Sequence, residues 1–131
     1  PKALPVFVPP WNRFPSEHLR ELEAAAYSGF SAWGSETGWR YDGGIRIANT
    51  HLDLIDWKGG ASPKPIGQLL SEFHNLCWAT DRAANAPIGI LTHHKQMPGE
   101  AFGHLEEFFR YVARQPDFVW TSARSIFRRA E

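Results

Sequence analysis

A short apolar run ending in two adjacent histidines, Ile88-Gly-Ile-Leu-Thr-His-His94, constrains this chain more than any other stretch. Asn85-Ala-Pro87 precedes it and Met97-Pro-Gly99 follows, so turn residues bound it on both sides. Apolar runs of this length between breakers form buried strands rather than helices. The apolar part needs a core, whereas the imidazoles need a cleft. In α/β proteins ligands sit at the carboxyl ends of parallel strands. A strand over Ile88–Thr92 is therefore predicted, with His93 presented to such a cleft.

The rest of the chain supplies partners for that strand. Leu4 to Val8 reads as a strand stopped by Pro9-Pro10, because proline donates no ladder hydrogen bond. Trp11-Asn-Arg-Phe14 then lies on the loop after it. Ser16 is the candidate cap of a helix with Leu19, Leu22 and Ala26 on one face, and Gly29 is its candidate stop. Phe30–Trp33 is a second short strand, and Ile45–Ala48 a third, separated by a polar, glycine-rich and irregular Gly34–Gly44. Lys58 to Lys64 is a loop. Ser62, or Ser62-Pro63, opens a helix whose apolar stripe is Ile66, Leu69, Leu70, Phe73 and Cys77, with Trp78 beside it. After Pro98-Gly99 another amphipathic helix places Phe102, Leu105, Phe109 and Val112 on one side. Phe118–Trp120 is a last strand. Thr121 or Ser122 caps a terminal helix, with Ile126 and Phe127 inward and Arg124, Arg128 and Arg129 outward.

Strands alternating with helices in this order imply an α/β fold, a mainly parallel sheet with helical cover. At 131 residues the chain is one domain or part of one, long enough to bury a real core. It begins with Pro1 and its only methionine is Met97, which points to a piece of something longer. The formal net charge is zero, so nothing favours a nucleic-acid or anionic-membrane partner. No apolar run approaches transmembrane length, and the residues given carry no signal-peptide pattern. Cys77 is the only cysteine, so no intrachain disulfide forms; on its apolar stripe it reads as a core thiol. The 6 Trp and 9 Phe supply core, and exposed Trp also suits stacking on sugar rings.

Three clusters fall at predicted strand ends: Pro10-Trp11, Asp53 to Trp57, and Leu91-Thr-His93. Together they make a partial acid–base site. An imidazole held by a carboxylate is well placed to donate a proton. Asp56 or Asp53 supplies that carboxylate, and Trp57 and Leu91 an apolar wall. A structural histidine is the competing reading of His93.

These residues carry a family resemblance. Asp53-Leu-Ile-Asp-Trp57 has the form Asp-x-x-Asp-Trp, and Leu91-Thr-His93 the form Leu-x-His at a strand end. Val8-Pro-Pro-Trp11 keeps the proline and aromatic of an Arg-x-Pro-aromatic motif, with Val8 at the arginine position. In this order and spacing they resemble the third to fifth motifs of the NodB-homology polysaccharide deacetylases, carbohydrate esterase family four. The resemblance implies the C-terminal portion of a distorted (β/α)7-type barrel, with residues 1–131 forming part of a single deacetylase-like domain. It implies that His93 is the general acid that protonates the departing sugar amine and Asp56 the carboxylate that orients it. Pro10, Trp11, Asp53, Trp57 and Leu91 would then bind substrate. Leu91 and Trp57 would line the acetyl pocket, and the Trp11 amide would belong to the oxyanion hole.

The family's first two motifs, an Asp-Asp pair and His-x-x-x-His, are absent from this sequence. They supply the metal ligands and the base. A divalent metal, zinc foremost, is thus expected with ligands outside this chain, on a companion polypeptide or missing N-terminal segment that completes the barrel. His51 and Asp53 are two potential ligands, too few for a catalytic zinc. Arg13 is a candidate substitute for the arginine that Val8 replaces. The expected activity is metal-dependent removal of N-acetyl groups from an amino sugar or polysaccharide, incomplete in this chain. The alternative is a catalytically inactive carbohydrate-binding or scaffold relative; accidental motif matches in an independent α/β domain are a third reading.

Overall fold

The computed structural model describes residues 3–34, 40–58, 60–79 and 86–128. It is a mixed α/β structure with small parallel sheets and helices. Strands β1 (Val6–Phe7), β2 (Gly29–Phe30), β3 (Arg40–Asp42) and β4 (Ile45–Ile47) form one sheet in the order β1-β2-β4-β3. β1, β2 and β4 are parallel, and β3 is antiparallel to β4. The chain then continues extended past a parallel bridge between Thr50 and Trp33 into β5 (Leu52–Asp53). β6 (Ile55–Asp56) pairs antiparallel with β7 (Ser62–Pro63), and β5 pairs parallel with β8 (Ile90–Leu91).

The run from Ile45 to Asp53 is the spine of this arrangement. The N–H groups of Arg46, Ala48 and Thr50 donate to the carbonyls of Ser28, Phe30 and Ala32 on the β2 side. The N–H of His51 donates to Gly89 O on the other side, at 2.8 Å. Successive residues of a strand point their hydrogen bonds in opposite directions, so one run serves two neighbours. β3 covers the first part of its far edge, and β8 the later part. Among the described residues no strand pairs with the outer edge of β1 or β8, and no closed barrel forms.

Two hydrophobic cores flank the spine. The smaller joins α1 (Leu19–Ala24) to the four-stranded sheet through Leu19, Leu22, Phe30, Ile45 and Ile47. The larger joins α2 (Ile66–Cys77) and α3 (Gly99–Val112) to β5 and β6 through Leu52, Ile55, Leu69, Phe73 and Phe108. Each fully buried side chain of this size contributes about 1.5–3 kcal/mol. Cys77 packs half-buried against the larger core, as its stripe predicts.

Several elements differ from the sequence expectation. Ser16 makes no capping bond; it opens a 3-10 turn, Ser16–His18, that leads into α1. The helix ends at Ala25, not at Gly29. Ala26 adopts φ +64°, and the N–H groups of Ala26 and Tyr27 donate to Glu23 O and Leu22 O. This is a Schellman closure built on alanine, where glycine is usual. Gly29 instead lies inside β2, where a Cβ would sit 2.6 Å from the Phe127 ring. Part of the segment expected to be irregular forms β3, joined to β4 through a turn with Gly43 at φ +59°.

The expected Ser62 helix start is strand β7 instead, and α2 begins after Pro65. Helix α3 turns a different stripe inward: Ala101, Leu105, Phe108 and Val112 pack, while Phe102 and Phe109 are 48% and 40% exposed. Both stripes have helical spacing and apolar content, so only packing against α2 selects between them. Phe118–Trp120 forms no strand; Phe118 packs on Phe73 and Trp120 on Phe109. Ser122 does cap α4 (Ala123–Ile126), accepting from Ser125 N–H at 3.1 Å. Arg129, Asn85, Gly59 and positions 35–39 lie outside the described residues.

Candidate active site

Topology brings two of the three predicted clusters together. β5 and β8 are parallel neighbours in register, Leu52 with Ile90 and Asp53 with Leu91. Asp53 therefore ends one strand where Leu91-Thr-His93 ends the next. The approach is close: a Cβ on Gly89 would lie 2.4 Å from Asn49 O and 2.9 Å from Thr50 Cα. Only glycine lets the backbones meet here. His51, buried on the spine, accepts the Gly89 N–H at its Nδ1 (3.1 Å), a second tie between the strands.

His93 Nε2 lies 3.1 Å from Asp53 Oδ1 and 3.2 Å from Oδ2. The Asp53 carboxylate is itself fixed. Oδ1 accepts the Ile55 N–H at 2.9 Å, and Oδ2 accepts the Trp57 indole N–H at 3.0 Å. The Trp57 ring meets the His93 ring edge-on, with centroids 4.8 Å apart and planes at 83°. The side chains of His93 and Asp53 are 22% and 13% exposed, sheltered but open to one side. After β8 the chain turns at once: the His93 carbonyl accepts the N–H groups of Gln96 and Met97, and Met97 is buried in the larger core. The imidazole is thus held at its ring by a carboxylate and at its backbone by an anchored turn.

Asp56 does not join this pair. Its Oδ1 accepts the Lys58 N–H at 2.9 Å, closing a local turn. The physical reason is strand alternation: Asp53 lies on β5 beside β8, whereas Asp56 lies on β6, which pairs with β7. The carboxylate beside the imidazole is Asp53, not Asp56. Leu91 is half-buried next to Asp53 in register, and Trp57 is half-exposed.

The Pro10-Trp11 cluster follows β1, whose carboxyl end points the same way as those of β2 and β4. Pro10–Asn12 is a 3-10 turn in which Trp11 and Asn12 both have positive φ, 58° and 55°. For tryptophan that is a costly conformation, held only where the surroundings over-determine it. Trp11 is 88% exposed. Val8, at the position where the resemblance expects arginine, is exposed, as is Arg13. His94 is exposed.

No group of three His, Cys, Asp or Glu converges among the described residues. His51 spends Nδ1 on Gly89, and Asp53 spends both oxygens on Ile55, Trp57 and His93. These residues do not form a site for the zinc that the resemblance implies. No described helix is long and apolar enough to cross a membrane. Chemically, the arrangement offers a partly exposed histidine whose Nε2 faces a fixed carboxylate. Gly89 and Met97 were not singled out from sequence as site residues, and His51, considered there only as a potential metal ligand, ties the two strands instead. A glycine inside an apolar strand pattern is the one signal that marks such a close approach. The chain matches no known family model, no curated protein and no solved structure.

Proposed function

We propose that this chain supplies the acid-donating part of a deacetylase site acting on an N-acetylated sugar, within the C-terminal portion of a (β/α) barrel. The observation that carries the reading is the His93–Asp53 pair at the ends of adjacent parallel strands, with Trp57 on the same carboxylate. Asp53 accepts the Nε2–H of the imidazole and fixes the orientation of the ring. A water adds to the acetyl carbonyl, the C–N bond breaks with its electron pair on nitrogen, and Nδ1 of His93 gives that nitrogen its proton; the imidazolium becomes neutral imidazole and the acyl group leaves as acetate. Trp57 and Leu91 form the wall against the acetyl methyl. The Trp11 N–H is the candidate donor to the oxyanion. The ion and the base belong to the companion polypeptide in this reading.

The test is acetate release from N-acetylglucosamine oligomers by the protein together with its companion. His93→Ala should lower kcat by about 10²–10⁴ while leaving KM nearly unchanged. Acetate release by the 131-residue chain unaided would overturn the half-site argument. An unchanged rate in His93→Ala would favour the second reading, a carbohydrate-binding relative without catalysis. The exposure of Trp11, Trp33 and Trp57 is what supports that alternative.

A further inference from the structure

A cavity of about 170 Å³ lies at the carboxyl ends of β1, β2 and β4, separate from the His93–Asp53 pair. Its floor is apolar: Phe14, Leu19, Phe30 and Ile47. Its rim carries Asn12, Ser16, Trp33 and Asn49, and no lining side chain is charged. An apolar floor with a few fixed polar groups is the usual anatomy of a small-molecule site.

The polar groups are set in advance. Asn49 Oδ1 accepts the Ala32 N–H at 3.1 Å, which orients the amide and leaves Nδ2 with no acceptor among the described residues. Gly34 makes room for it, since a Cβ there would sit 2.5 Å from Nδ2. Ser16 is free of any capping bond, and the left-handed turn at Trp11 and Asn12 carries Asn12 to the rim. Trp33 is half-exposed, its backbone fixed by the bridge to Thr50.

We infer that this cavity is a subsite for an uncharged sugar unit, with the Trp33 indole stacking on the C–H face of the ring and Asn49 Nδ2 donating to a hydroxyl or acetamido oxygen. Neutral lining disfavours a phosphorylated or cationic sugar, since nothing there would offset the desolvated charge. Asn49 and Asp53 are four residues apart on one extended run, about 13 Å. That span exceeds one sugar ring, so a ligand reaching both places is an oligomer. The link to deacetylation rests on the proposed function; the sugar subsite does not.

The test is titration of the 131-residue protein with the N-acetylglucosamine trimer and monomer, followed by NMR shifts and calorimetry. The trimer should bind and shift the Trp33 indole and Asn49 side-chain signals. Asn49→Asp keeps the acceptor for Ala32 N–H but removes the donor, and Trp33→Ala removes the platform. Each should weaken trimer binding about tenfold, the size of one good neutral contact. Trp33→Phe should retain most of the affinity; thermal melting checks that each variant folds. Absence of trimer binding, or binding that Asn49→Asp and Trp33→Ala leave unchanged, overturns the subsite. Trimer binding at the cavity without acetate release by the completed protein would overturn the hydrolase reading and leave the subsite standing.

Discussion

The imidazole of His93 and the carboxylate of Asp53 are 40 residues apart in sequence and share both carboxylate oxygens, at 3.1 and 3.2 Å. Neither residue could be moved by one position without losing the pair. A one-residue slip in either strand turns its side chains to the opposite face.

The two aspartates of the Asp53–Trp57 segment should therefore behave differently. Asp53→Asn turns an amide N–H₂ toward the Trp57 indole or the Ile55 N–H and breaks charge-assisted bonds. It should cost about 2–3 kcal/mol of stability and displace the His93 ring. Asp56→Asn keeps the acceptor for the Lys58 N–H and should change stability by less than about 0.5 kcal/mol. Urea denaturation of the two variants, with the His93 ring signals in NMR, checks both.

Gly89→Ala should destabilise strongly, by about 1–3 kcal/mol or more, because the added methyl meets backbone rather than a yielding side chain. Gly67 is the control: it lies in α2 with nothing within 4 Å of a Cβ. Gly67→Ala should stabilise by about 0.5–1 kcal/mol through helix propensity. Denaturation midpoints decide; equal effects at the two glycines would refute the close approach of β8 to the spine.

Ala26 closes α1 from the left-handed region, at φ +64°, and its side chain is exposed. Ala26→Gly should raise stability by about 1 kcal/mol, the strain of an L-residue there less the entropy that glycine adds to the unfolded chain. Thermal melting should show a higher Tm. A lower one would mean that the helix does not end at this turn.

His18 Nδ1 donates a 2.9 Å hydrogen bond to Glu21 Oε1, one helical turn on. That bond raises its pKa above the ordinary 6.5, with the Glu21 charge and then Glu17 adding to it. A raised folded value means that the contribution to stability is complete below 6.5 and fades as pH climbs through the folded pKa. The pair is exposed, so the effect on stability is small. Glu21→Gln should bring the His18 titration down toward its ordinary value in an NMR pH series; an unchanged titration would rule the pair out.

Local signals were legible where chemistry is local. Alternating strand and helix signals predicted a mixed α/β chain. Apolar spacing marked α2, and Ser122 marked the start of α4. Ile45–Ile47 and the Ile90–Leu91 strand were visible as apolar runs between breakers. The Asp53 and His93 clusters were visible as polar residues at the ends of such runs. Helix α3 was visible as a helix, but its buried face was not, because two overlapping apolar stripes that share Leu105 and Val112 lie side by side on it. Residues 52–63 read as one stretch and a loop, yet they fold into three short strands with separate partners.

Residue order and side-chain type named the candidates for acid, carboxylate and wall, since those depend on covalent chemistry and spacing along one chain. The choice of Asp53 over Asp56 beside His93 came from strand pairing. So did the closeness that Gly89 permits and the anchoring of the histidine turn by Met97. Pairing joins residues tens of positions apart, and its register depends on the packing of whole cores. No short stretch of sequence carries that information, because no short stretch contains both partners.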